Sequence, residues 1–67
     1  MYLSIADIKR DLPEVPVLID GREYIGHVKG RLNNYATVYN LLDNNYHHFS
    51  WDAVARAYNT GEALIFD

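Results

Sequence analysis

Val17 to Leu42 reads VLIDGREYIGHVKGRLNNYATVYNLL, and its punctuation decides the fold. Runs rich in β-branched and aromatic residues are separated by Asp20-Gly21 and Asn33-Asn34, residue types that tolerate the positive φ of a tight hairpin turn. The stretch therefore predicts three antiparallel strands, over 17–19, 22–32 and 35–42. In the second strand Gly26, Val28, Gly30 and Leu32 share one parity, while Ile25, His27, Lys29 and Arg31 share the other. A period of two sends the small apolar set inward and the mostly basic set outward. Two inward glycines predict a bend at which another strand approaches closely. For the next hairpin, a three-residue loop of Asn33, Asn34 and Tyr35 sets Leu32 against Ala36, Gly30 against Val38 and Val28 against Asn40. A two-residue loop would instead turn Thr37 and Tyr39 inward. The three-residue loop, which buries the smaller groups, is the expected one.

Beyond Leu42, Asp43-Asn44-Asn45 marks a turn and Tyr46 to Phe49 a short fourth strand. Ser50 is placed to cap a helix over 51–59, with Asp52 in its first turn and Trp51, Val54, Ala55 and Tyr58 on one stripe. Gly61 marks the helix exit, and Ala63 to Phe66 form a closing strand. Upstream, Ser4 and Asp7 form a capping-box pattern for a helix over 4–12, with Ile5, Ile8 and Leu12 on its apolar stripe. Pro13 ends that helix, and Pro16 keeps Val15 extended. The expected class is mainly β with two short helices, an α+β arrangement, with Val28, Val38, Trp51, Leu64 and Phe66 in one core.

Four strands in a meander, a short helix and a fifth strand closing onto the first make an element order over residues 15–66. This order resembles the Src-homology-three-like small β-barrel, and the resemblance implies a five-stranded barrel, with the helix over 4–12 added before it. Peptide-binding members carry an acidic-aromatic cluster of ALYDY type and a tryptophan pair after the second strand. Neither is present in this sequence, so binding of proline-rich peptides is not carried over, and a shared fold does not by itself transfer a function.

With 67 residues the chain has room for one core, and a single domain over 1–67 is expected. Hydrophobic residues make up 49% and charged residues 22%, a composition that folds rather than stays disordered. There is no cysteine, which excludes disulfides and thiolate metal sites and suits a reducing compartment. No basic segment precedes an apolar one, and no apolar run approaches the roughly 18 residues that span a bilayer. A cytoplasmic protein without membrane contact is the expectation. Nine acidic against six basic side chains leave a net charge of −3, which opposes attraction to phosphate and anionic lipid and favours a protein partner.

His27, His47 and His48 are the candidate imidazole ligands, but neighbours on a strand point to opposite faces, so no metal site is expected. Ser4 and Ser50 are explained as helix caps, and no carboxylate lies in an apolar stretch that would raise its pKa. No catalytic residue and no cofactor follow. Two binding surfaces do. Tyr2, Ile5 and Ile8 carry more apolar surface than a helix at a barrel mouth readily hides, and suit docking on a protein. His27, Lys29 and Arg31 beside Tyr39 suit a nucleic-acid strand, the cations meeting phosphates and the ring stacking on a base. The leading expectation is a non-catalytic interaction module that binds itself or a larger protein. A small nucleic-acid-binding regulator is the alternative, and an enzyme or metal protein the third reading.

Overall fold

A helix must satisfy the donors at its N-terminus, and both helices here begin on a serine that does so. In the computed structural model, which describes residues 2–32, 35–42 and 44–66, helix α1 spans Ile5–Asp11 and helix α2 spans Trp51–Thr60. Ser4 Oγ accepts from the Asp7 backbone N–H at 3.2 Å while the Asp7 carboxylate accepts from the Ser4 N–H, completing the capping box. α1 stops at Leu12, in the left-handed conformation with φ 47°, immediately before Pro13. Ser50 Oγ accepts from Ala53 N–H at 3.2 Å, and Gly61 ends α2 with φ 82°. Ser50→Ala is therefore expected to cost about 1 kcal/mol of stability. Urea denaturation checks this, and an unchanged midpoint would mean that the cap carries no energy.

The strands are β1 (Glu14–Ile19), β2 (Arg22–Leu32), β3 (Tyr35–Asn40), β4 (Asn45–Ser50) and β5 (Leu64–Phe66). They form one sheet in the order β4-β3-β2-β1-β5, a nearly closed, mixed barrel of the expected α+β class. β1 to β4 are an antiparallel meander, whereas β5 runs parallel to β1, with Val17 opposite Leu64 and Ile19 opposite Phe66. Asp20 and Gly21 have φ of 51° and 78°, the pair of positive values a two-residue hairpin loop requires, and Ile19 faces Arg22 across it. Among the described residues β4 and β5 are not hydrogen-bonded neighbours. Side chains close that seam: the Phe66 ring lies 4.3 Å from His47 and 5.8 Å from Phe49.

The core lies between the inner sheet face and the two helices. Val28, Val38, Trp51, Leu64 and Phe66 are buried in it together, joined by Val15, Val17, Val54 and Ile8. A clamp absent from the sequence reading fastens the N-terminal segment to α2. Asn59 Oδ1 accepts from Leu3 N–H at 2.8 Å, and Asn59 Nδ2 donates back to the Leu3 carbonyl at 2.9 Å.

Three expectations are corrected. Asn33 and Asn34 lie outside the described residues, but the strands beside them pair Leu32 with Tyr35 and Arg31 with Ala36, so the three-residue loop is not formed. Ala36, Val38 and Asn40 nevertheless face inward, because the register shifts between Val28 and Gly30. Lys29 is the extra residue of a β-bulge, and it returns Val28 to a position opposite Val38. Gly30 consequently sits opposite half-buried Thr37, and of the two glycines expected to face inward only Gly26 does. The third strand also ends at Asn40 rather than Leu42. Leu41 and Leu42 belong to the turn that follows, of which Asp43 lies outside the described residues.

Candidate functional site

Strand alternation and the register together assign the outer face of the sheet. One row crosses four strands, Glu14, His27, Tyr39 and Tyr46 standing opposite one another in turn. Glu14 Oε2 lies 3.1 Å from His27 Nδ1, an ion pair when the imidazole is protonated, and the rings of Tyr39 and Tyr46 lie 4.4 Å apart. The next pair toward one end of the sheet is Pro16 with Ile25.

Past that end lies the β3–β4 turn, and three hydrogen bonds fasten it. Asn44, left-handed with φ 58°, donates its N–H to the Asn40 carbonyl at 2.8 Å. The Tyr39 hydroxyl donates to Asn44 Oδ1 at 2.6 Å. Asn40, buried among apolar residues, donates from Nδ2 to the Ile25 carbonyl at 3.0 Å, so its amide is satisfied and ties the turn to β2. The turn so held carries Leu41 and Leu42 outward, 67% and 79% exposed, beside Ile25 at 60%. Tyr46 is 62% exposed. Tyr24, Ile25, His27, Asn40, Leu41 and Leu42 line an open hollow of about 430 Å³. A second hollow, of about 310 Å³, shares Tyr24 and Ile25 in its lining and includes Glu14, Pro16 and Glu23.

The expected protein-docking residues are placed differently. Ile8 is fully buried and belongs to the core, which removes it from any surface. Ile5, with Leu3 and Leu12, is half-buried and packs against that core, whereas Tyr2 is 71% exposed. Of the nucleic-acid candidates, His27 and Tyr39 are opposite one another. Lys29 is exposed at the bulge, and Arg31 lies beyond it with its backbone opposite Ala36, so the shift interrupts the even alternation of the basic stripe. The three histidines are separately engaged: His27 with Glu14, His47 against Phe66, and His48 Nδ1 with Thr37 Oγ1 at 3.1 Å. Among the described residues no three His, Asp or Glu groups converge, and no helix is long and apolar enough to cross a membrane. At the end of α1 the hydrogen bond from Arg10 holds the Asp11 carboxyl below its ordinary range, and the same bond is the main cause of a raised Arg10. Both side chains are exposed.

Ile25, Leu41, Leu42 and Tyr46 were thus not singled out by their sequence pattern. A signal for the two leucines exists: Asn40 before them and Asp43-Asn44-Asn45 after them bracket a turn, whereas a strand through 42 would turn one leucine inward. Compared with known proteins, the chain matches no known family, no curated protein and no solved structure.

Proposed function

We propose that this chain is a non-catalytic, cytoplasmic protein-interaction module, built on a barrel of Src-homology-three-like element order. Its outer sheet face and β3–β4 turn dock on protein, either another copy of the chain or a larger partner. The observation that carries this reading is the pair of adjacent leucines held outward on a hydrogen-bonded turn. Two leucines exposed side by side lose the favourable transfer from water that burial would bring, and a contiguous apolar patch on a small domain marks a contact surface. Because the turn is fastened in place, little conformational entropy is lost when the patch is covered.

The test places a photo-crosslinking side chain at position 42 and, as a control, at Asp20 on the β1–β2 turn, in the cell that makes the protein. A discrete protein adduct is expected from position 42 and not from position 20, lost when Leu41→Ser and Ile25→Ser are added. Absence of any adduct at position 42 would overturn the reading, and an adduct that nuclease removes would overturn it in favour of the nucleic-acid alternative through His27, Lys29, Arg31 and Tyr39.

A further inference from the structure

We infer that α1 is exchanged between two copies of this chain, each barrel taking the other's helix in place of its own. The partner is thus a second copy, and the outer sheet face plays no part in the exchange. The hinge points to this. Both helices end on a left-handed residue, and at α2 that residue is Gly61, which has no Cβ to clash. At α1 it is Leu12, with φ 47° and ψ 59°. Among the described residues the other non-glycine positions with positive φ are Asp20 and Asn44, whose short polar side chains tolerate it. Leu12 also stands before Pro13, and a proline pushes the residue ahead of it toward extended backbone. Both constraints are relieved when Leu12 extends, and that one change swings α1 off its own barrel. Only Leu12 and Pro13 separate α1 from β1, and a short hinge under strain invites exchange.

The contacts of the exchanged segment divide into two sets. Those inside it travel with it: the capping box of Ser4 and Asp7, and the ion pairs of Arg10 with Asp7 and Asp11. Those to the body form again, unchanged, in the second copy. They are Ile8 in the core, the two hydrogen bonds between Leu3 and Asn59, and the Lys9 ammonium over the Trp51 ring. Exchange neither gains nor loses any of these, and the half-buried side chain of Leu12 is the one that must reseat. What remains is relief at two hinges against the entropy of bringing two chains together. The dimer is therefore weak, and its strength is set by the backbone at positions 12 and 13.

The experiment refolds the full chain from urea at about 10 μM and at about 1 mM and reads its mass by sedimentation velocity. A dimer is expected at the higher concentration, returning slowly to monomer on dilution because α1 must first leave its site. In dimers refolded from a mixture of isotope-labelled and unlabelled chains, filtered cross-peaks are expected between Lys9 of one chain and the Trp51 ring of the other. Pro13→Ala, which frees Leu12 from its proline, should weaken the dimer at least about tenfold. Leu12→Ile keeps the volume but places the branch at Cβ, where positive φ is least tolerated, and should strengthen the dimer at least about tenfold.

A chain that stays monomeric at about 1 mM would overturn the exchange. So would a dimer without the cross-peak between chains, or one whose affinity neither hinge substitution moves. Should a hinge variant fail to fold, the cross-peak in the parent chain still decides. A dimer that Leu42→Ser dissolves would belong to the outer face, overturning the exchange while leaving the interaction reading in place. An adduct at position 42 is lost or kept independently of every one of these results, so the two readings fail separately.

Discussion

Trp51→Ala is expected to destabilise the protein by about 3–5 kcal/mol, the range for removing a large buried aromatic side chain. A chain of this length has a total stability of roughly 3–10 kcal/mol, so the substitution removes between about a third and all of it. Trp51 is buried at the first position of α2 in the common core, and the Lys9 ammonium lies 5.4 Å from its ring centroid. Its Nε1–H, however, has no hydrogen-bond acceptor among the described residues. A buried donor without a partner costs about 1–3 kcal/mol, a penalty that Trp51→Phe removes while keeping an aromatic ring. The loss of volume works against that gain, and Trp51→Phe should therefore stay within about 1.5 kcal/mol of the parent. Urea midpoints followed by far-ultraviolet circular dichroism separate the two variants. Equal destabilisation by Phe and Ala would show that the indole N–H does find an acceptor.

Gly26→Ala is the second large effect, expected at the upper end of about 1–3 kcal/mol for overpacking. A Cβ on Gly26 falls 2.6 Å from Val17 Cγ1 and 2.8 Å from Val38 Cγ1, closer than carbon atoms approach one another. Both valines are fully buried and branched at Cβ, so neither has a spare rotamer into which to retreat. Gly30→Ala is the matched control, because its Cβ meets nothing within 4 Å and its φ is not positive. It should be neutral or stabilising by up to about 1 kcal/mol through the unfolded chain. The thermal midpoints of the two variants test the bulge directly: equal losses would place both glycines on the inner face and remove the register shift between them.

That contrast also shows how far the sequence was legible. Short-range signals carried the element order: the Asp20-Gly21 hairpin, the Ser4 and Ser50 caps, the Leu12-Pro13 stop and the Gly61 exit all act through neighbouring backbone atoms. Parity named the inward face of β3 correctly, but the pairing that achieves it depends on Lys29 bulging out within β2 rather than in the turn itself, an adjustment made by packing. Ile8, one of the docking candidates on α1, misled for the same reason. A stripe of Ile5, Ile8 and Leu12 reveals that a face is apolar, and only the tertiary arrangement reveals that Ile8 is buried in the core while Ile5 and Leu12 are partly buried against it. On the opposite side, Ile25 has the parity of His27 and Lys29 and was read as one member of a basic face; its meaning changes once the turn sets Leu41 and Leu42 next to it.

The seam between β4 and β5 has a bearing on solubility. Both are edge strands of the single sheet, and an unpaired edge offers a row of backbone donors and acceptors to any passing chain. Here the curvature turns the two edges toward one another, and the Phe66 ring against His47 and Phe49 lies across the gap. Each edge is thus guarded by the other although, among the described residues, they are not hydrogen-bonded neighbours. If that aromatic contact were lost, both edges would open together, and the damage would register as strand-to-strand aggregation of molecules whose remaining ladders are still intact.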